Sequence, residues 1–234
     1  MRERQLAHVT RSELHERSAA GATCLLPIGS LEQHGEHLPL STDTLLAHTV
    51  CLRAAELAER CDVLVAPPLW AGFSPHHLRF GATVSLSQET FLAVSREVAQ
   101  GLGAMFSSVV VVNGHGGNRG LLSSLTLELD LRVIDYWELA PDTARELFVG
   151  DGGSVGHAGE LETSLVLAAA PDRVGTPAPD FVPCTPGERL LYAPDLGESG
   201  VIGDPHAASA ESGAAFLEAC GLALARLLDG GGAA

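Results

Sequence analysis

The chain contains no apolar run reaching the ~18 to 20 residues of a membrane span, and its opening, Met1-Arg2-Glu3-Arg4-Gln5, has none of the form of a secretory signal peptide. Those absences lead to the expectation of a cytoplasmic protein with no membrane partner. Positive charge is scarce. Lys and Arg number 14 against 29 Asp and Glu, a formal net charge of −15, and no basic stripe with interleaved aromatics occurs. Such a surface repels a phosphate backbone, which argues against nucleic acid as a partner. The five cysteines, Cys24, Cys51, Cys61, Cys184 and Cys220, are an odd number without Cys-x-x-Cys spacing. They read as reduced, buried small hydrophobes rather than disulfides or zinc ligands, with a nucleophilic Cys184 beside a histidine as the alternative. There is also no low-complexity linker, charge block or internal repeat, so residues 1–234 are expected to form one domain. With 46% hydrophobic and 18% charged residues, the chain can bury a sizeable core.

The chemistry is concentrated in residues 28–43, where Glu32, His34, His37 and Asp43 stand between an apolar run and a helix-like run. If 22–28 is a buried strand, Glu32 and His34 lie just past its C-terminal end, where alternation aims both to one side. Asp43 then falls at the start of the next helix, after a loop turned by Gly35 and Pro39. Carboxylate and imidazole together suit zinc, iron or manganese rather than calcium, which takes more oxygens. The plain alternatives are a polar loop with surface histidines and, for Asp43, a helix cap.

Along the chain, Thr10-Arg11-Ser12-Glu13 has capping-box form and Gly21 supplies a stop, which predicts a helix over 11–19. After the strand at 22–28, a helix is expected to about residue 59, with Leu45, Leu46, Val50, Leu52 and Leu57 as its apolar stripe. A second strand at 62–66 stops at Pro67-Pro68. Residues 69–80, rich in Gly, Pro and aromatics, read as a loop of the kind that carries substrate contacts in α/β proteins, and its His76 and His77 face either the site or solvent. Ser87 caps a helix running to about 104. The β-branched run 107–112 then suits a central parallel strand buried on both faces.

That run empties into Asn113-Gly114-His115-Gly116-Gly117-Asn118, ahead of a helical pattern at 121–129. Glycines around one histidine let the backbone approach a ligand, and a helix N-terminus behind them favours anions. Neither Gly-Lys-Ser/Thr nor Gly-x-Gly-x-x-Gly is present, so His115 reads as a metal ligand rather than part of a phosphate loop. A strand at 131–136 and a longer connection to 153 follow. Gly156-His157-Ala158-Gly159-Glu160-Leu161-Glu162-Thr163-Ser164 opens an apolar helix to about 169, where Glu160 suits the helix dipole alone. Residues 197–205 read as a loop near the site. Ser209 caps a closing helix over 210–228, packed through Phe216, Leu217, Leu224, Leu227 and Leu228, and 230–234 as a frayed end. A Ser-His-Asp mechanism lacks its Gly-x-Ser-x-Gly elbow, and Ser30 has no evident base.

Four blocks, taken in order, resemble the creatininase (creatinine amidohydrolase) family: Gly-Ser-x-Glu-x-His-Gly-x-His-Leu-Pro-Leu-x-x-Asp, Asn-Gly-His-Gly-Gly-Asn, His-Ala-Gly-Glu-x-Glu-Thr-Ser and Gly-Val-x-Gly-Asp-Pro. The resemblance spans residues 28 to about 213. It implies an α/β fold, a three-layer αβα sandwich with a mostly parallel central sheet, assembled as a homo-oligomer, usually a hexamer. It also implies two divalent metal ions per chain, zinc, iron(II) or manganese, with a water between them. By position, Glu32, His34, Asp43 and His115 fall on the family's ligands, with Asp43 bridging, and His157 falls on the residue that protonates the departing nitrogen. Creatininases proper have a Glu ligand where this chain has Gly117, and Glu162 is the expected replacement. His37, His77, Asn113, Gly116 and Gly117 are candidates for orienting ligands or substrate.

Other departures concern the substrate. Gly116 and Gly153 stand where creatininases proper have a Tyr and a Trp that help hold the flat creatinine ring, which argues against creatinine. Glu36 replaces a usual Pro and Ala82 a frequent Gly. The Gly-Gly version resembles the family branch that contains a pyrimidine-precursor formamide hydrolase and a peptidase trimming the mycofactocin precursor peptide. The implied activity is metal-dependent hydrolysis of a carbon–nitrogen bond other than an ordinary internal peptide bond, on a small molecule or short peptide. Trimming of a modified precursor peptide is favoured. A cyclic amide or formamide substrate, and a catalytically silent metal-binding scaffold, are the alternatives.

Overall fold

The computed structural model describes residues 2–150, 155–184 and 196–230. Gly153 and the tail 231–234, both read above from sequence, lie outside the described residues. Among those described, four strands form a wholly parallel sheet: β1 (Thr23–Ile28), β2 (Val63–Val65), β3 (Ser108–Asn113) and β4 (Arg132–Asp135), in the order β2-β1-β3-β4. β1 and β3 pair along their whole length, Thr23 opposite Ser108 through Ile28 opposite Asn113. The helices are α1 (Arg11–Ala19), α2 (Thr42–Leu57), α3 (Gln88–Gly103), α4 (Arg119–Leu125), α5 (Pro141–Leu147), α6 (Glu160–Ala169) and α7 (Ala210–Asp229).

Alternation along a strand sends successive side chains to opposite faces, and each face is covered. Leu25, Val63, Val65, Val110 and Val112 pack with Leu46 and Val50 of α2, Leu161 and Leu165 of α6, and Phe216 and Leu224 of α7. Cys24, Leu26, Ile28, Leu64, Val109 and Val111 pack with Phe91 and Leu102 of α3 and Leu122 and Leu125 of α4. The three-layer αβα arrangement is therefore present. Three expected caps are formed: the hydroxyls of Thr10, Ser87 and Ser209 accept from the backbone N–H of Glu13, Thr90 and Ser212.

Several expectations need correction. The buried face of α2 is Leu46, Ala47, Val50, Cys51, Ala54 and Ala55, while Leu45, Leu52 and Leu57 are only half-buried. Small side chains are needed there because α2 and α7 approach closely: a Cβ added at Gly221 would lie 2.5 Å from Arg53 Cγ. β2 has three residues rather than five. The loop at 69–80 contains a 3₁₀ turn, Pro75–Phe80, and the connection after β4 contains α5, both opened by a proline whose fixed φ suits a first helical position. α4 begins at Arg119 and ends at Leu125, since Gly116–Asn118 already turn the chain as 3₁₀ ahead of it.

The strand order positions the site. From β1 the chain first moves outward to β2, then crosses back to lay β3 on the other side of β1. The carboxyl ends of β1 and β3 thus flank the point where connections leave in opposite directions, the crevice in which open parallel sheets bind ligands. At the opposite end of the sheet, Arg17 is fully buried and donates through Nε and Nη2 to Asp62 Oδ2 and Oδ1 at 2.8 and 2.7 Å, and through Nη1 to the Glu3 carbonyl at 2.7 Å. Partial burial opposes ionisation of Asp62, but the Arg17 hydrogen bonds and charge, with Arg2 and Arg4, hold its carboxyl below the usual 3.8. Because the folded value is depressed, this stabilisation is complete above the unfolded value and is lost as pH falls through the folded one. Asp62→Asn is expected to cost about 2 kcal/mol at pH 7, since it removes the paired carboxylate oxygens from a buried guanidinium and leaves it Glu13 Oε1, 3.6 Å from Nη1. Thermal melts of the two proteins should converge as pH falls through the depressed Asp62 value; a gap independent of pH would remove the charge from this account.

Candidate metal centre

Past the end of β1 the chain bends through Gly29 and Ser30 and delivers Glu32 and His34. Glu32 and His34 are wholly buried, Asp43 is 2% exposed, and Asp43 sits in the first turn of α2. Asp43 does not cap α2. Its Oδ1 lies 3.0 Å from His34 Nε2 and its Oδ2 3.2 Å from His115 Nδ1. β3 supplies His115 through the Asn113–Asn118 loop, and His115 Nδ1 also lies 3.2 Å from Glu32 Oε1. α6 supplies Glu162, whose Oε2 accepts from the Ala158 N–H at 2.6 Å and lies 3.8 Å from His34 Nε2. Three groups of side chains each bring ligand atoms within 4.8 Å of one another: Glu32, Asp43 and His115; His34, Asp43 and Glu162; and Glu32, His34 and His157.

Burial of so much charge shifts the protein groups in opposite directions. Burial favours a neutral Glu32, yet the His115, His77 and His157 imidazoles outweigh it and hold the carboxyl well below its usual range. Burial likewise favours neutral His34, but Asp43, Glu162 and Glu32 push it up to about 10. Desolvation drives Glu162 up to about 7 and His157 well down. Both Glu32 oxygens and Asp43 Oδ2 are buried without an aligned hydrogen bond from the described residues. Buried carboxylate oxygens are normally hydrogen-bonded or bound to metal. Carboxylates and imidazoles in overlapping sets that share Asp43 fit divalent metal.

The residues expected to orient ligands or substrate have separate places. His77 is buried, with Nε2 3.2 Å from Glu32 Oε1 and Nδ1 2.9 Å from the Gln33 amide. His37 is buried outside the three ligand groups and hydrogen-bonds through Nε2 with Thr163 Oγ1 at 2.9 Å, tying the 28–43 loop to the residue next to Glu162. Asn113 shapes its own loop: Oδ1 accepts from the His115 N–H, and Nδ2 donates to the His115 carbonyl and Asp135 Oδ1. Glycine at 117 is required by contact, since a Cβ there would lie 2.4 Å from the Phe73 carbonyl oxygen and 2.5 Å from His115 Nε2. A Glu at 117 therefore has no room here, and the second carboxylate beside His34 comes from α6. Gly116 is half-buried next to it. Glu160 begins α6 outside the three groups.

Sequence reading missed Gln33, Ser74 and Asn118. Asn118 accepts from the Phe73 N–H and donates to the Gly29 carbonyl, so one side chain joins three loops. Ser74 Oγ lies 3.1 Å from His115 Nε2, and with Asp43 on the far side the line superficially resembles Ser-His-Asp. Ser74 is fully buried and pairs with Ser30 Oγ at 2.5 Å, so neither hydroxyl faces a substrate; Ser74 instead orients His115. No residue spacing marks such contacts, because they join segments from 41 to 167 residues apart.

A parallel α/β sandwich with a buried carboxylate–imidazole cluster at its switch point is an arrangement able to hold divalent metal where open sheets bind ligands. The creatininase profile, described as creatinine amidohydrolase, matches residues 7–228. The chain belongs to the creatininase family. It is 34% identical to a protein named mycofactocin precursor peptide peptidase from Mycobacterium tuberculosis, over 95% of this chain and 91% of the relative. Identity to the creatinine amidohydrolase of Pseudomonas putida is 31%, over 92% of each. A solved structure described as creatininase Mn superposes with a TM-score of 0.77 at 28% identity, covering 96% of both chains. No helix among the described residues is long and apolar enough to cross a membrane.

Proposed function

We propose that this chain is a single-domain hydrolase of an amide-type carbon–nitrogen bond, in which Glu32, His34, Asp43, His115 and Glu162 hold two divalent ions. The observation that carries the reading is the pair of ligand groups sharing Asp43, lined by buried carboxylate oxygens without aligned donors. Such ions supply an acidified water and a Lewis acid for the carbonyl oxygen. His157 does the proton work. Its Nε2 lies 2.9 Å from the Gln33 carbonyl oxygen, so Nε2–H donates there and Nδ1 keeps its lone pair, 3.9 Å from Glu32 Oε1. Nδ1 takes the proton released by the attacking water and passes it to the departing nitrogen as the C–N bond breaks. Zinc, iron(II) and manganese all suit the donor set.

A modified precursor peptide is the favoured substrate class. Gly116 and Gly117 raise no aromatic wall beside His115, and the M. tuberculosis relative is named for such a peptide. The P. putida relative supports a cyclic amide as the second reading. Assembly into a homo-oligomer, a hexamer by resemblance to the family, is expected and is read by sedimentation. The decisive experiment measures metal per chain in the purified protein, in His34→Ala and in Glu162→Ala, and then offers it a mycofactocin-type precursor peptide and creatinine separately. About two ions, falling in both variants, with peptide turnover is the expected result. Creatinine turnover alone overturns the peptide assignment, and metal content indifferent to both substitutions overturns the centre itself.

A further inference from the structure

Gln33 lies between two members of the cluster, Glu32 and His34, yet its side chain turns away from them into a buried junction of three segments. Its Oε1 accepts from the Gly35 N–H at 2.9 Å and its Nε2 donates to the Gly200 carbonyl at 3.0 Å. A backbone N–H can only donate and a carbonyl can only accept, so these two bonds fix which end of the amide is which. Gly200 permits the approach: its φ is +73°, and a Cβ there would sit 2.5 Å from Gln33 Oε1.

With the amide oriented, the imidazole protons follow. Nε2 has two hydrogens. One goes to Gly200, and the other points at His77 Nδ1, 2.9 Å away. His77 Nδ1 must accept, which places its proton on Nε2, the atom facing Glu32 Oε1 at 3.2 Å. Gln33 Nε2 also lies 3.2 Å from His157 Nε2 but has no third hydrogen, so His157 Nε2 is the donor to the Gln33 carbonyl. The reverse tautomer of His77 would set two N–H groups against each other and bring a lone pair up to the Glu32 carboxylate. The reverse tautomer of His157 would leave the Gln33 carbonyl without that donor.

We propose that Gln33 is a positioning residue that sets the tautomers of both His77 and His157 through one side-chain amide and its own carbonyl, and couples them to the segment that carries Gly200. His77 thereby keeps its N–H on the side of Glu32, 3.2 Å from Oε1 but not aligned on it, and His157 presents a bare Nδ1 to the reacting groups. The assignment for His157 rests on the hydrolase reading above; the assignment for His77 stands without it. Gly35 and Gly200 are the backbone partners that make an amide, rather than an acid or an apolar side chain, the group that fits.

The test is ¹⁵N spectroscopy of histidine-labelled, zinc-supplemented full-length protein, comparing wild type with Gln33→Met and Gln33→Glu. Wild type is expected to show both histidines protonated at Nε2 and bare at Nδ1. Gln33→Met should lose that preference at His77, and Gln33→Glu, which offers an acceptor, should move the proton to Nδ1; zinc affinity should fall ~10- to 100-fold in both. A proton on Nδ1 of His77 or His157 in wild type overturns the proposal, and this measurement stands if neither variant folds. An unchanged His77 pattern in folded variants overturns it equally. The tautomers are read whatever the zinc stoichiometry, so failure of metal binding removes the hydrolase reading and leaves the Gln33 assignment separately decided.

Discussion

Asp43→Ala should strip the protein of both metal ions. Asp43 alone contributes a different oxygen to each of two ligand groups, Oδ1 beside His34 and Oδ2 beside His115. Losing His115 or Glu162 leaves the other of these two sets intact, whereas losing the shared carboxylate opens both and leaves only Glu32, His34 and His157 as a complete group. Elemental analysis should fall from about two ions per chain to near none, with hydrolysis reduced at least ~10³-fold, equivalent to roughly 4 kcal/mol of transition-state stabilisation. Circular dichroism should be unchanged, because Asp43 neither caps α2 nor packs in its apolar face. Retention of one ion would mean that Asp43 is not needed at that ion, which Glu32, His34 and His157 would then hold.

His157→Ala should give the complementary result, a ~10²- to 10⁴-fold loss of turnover with metal content preserved. His157 is placed by an antiparallel bridge to Ile202 and by the Gln33 carbonyl, while its ring lies against His34 and His77 at centroid distances of 4.3 and 4.4 Å. It also stands within ligand distance of Glu32 and His34. The metal analysis distinguishes the two roles: unchanged content with lost turnover identifies the proton carrier, and a loss of metal identifies a ligand. The predictions for Asp43 and His157 together separate holding the ions from moving the proton.

How much of this was legible without coordinates depends on where each signal resides. Thr10, Ser87 and Ser209 were readable as caps because capping is a contact between residues three apart, and the β-branched run before Asn113 was readable as an inner strand because burial on both faces leaves no polar alternation. The stripe of α2 was legible in part: Leu46 and Val50 are buried and Leu45 and Leu52 pack at the edge of the core, whereas Ala47, Cys51, Ala54 and Ala55 carry no periodic signal and are buried by the elements that close on the helix. Asp43 could be read either as cap or as ligand from its position alone. Only the approach of His34 and His115 to its two oxygens decides against the cap.

The sequence by itself determined the alternation of helix and strand, the family motifs and the residue types gathered at strand ends, since each of these lies within a short stretch of chain. Tertiary structure decided the rest. The order β2-β1-β3-β4 brings the ends of β1 and β3 together, the Phe73 carbonyl takes the space beside Gly117, and α6 brings Glu162 beside His34. Gln33 finds His77, His157 and Gly200 from segments 44, 124 and 167 residues away. Such contacts are set by packing between distant segments, for which no local periodicity or propensity exists to be read.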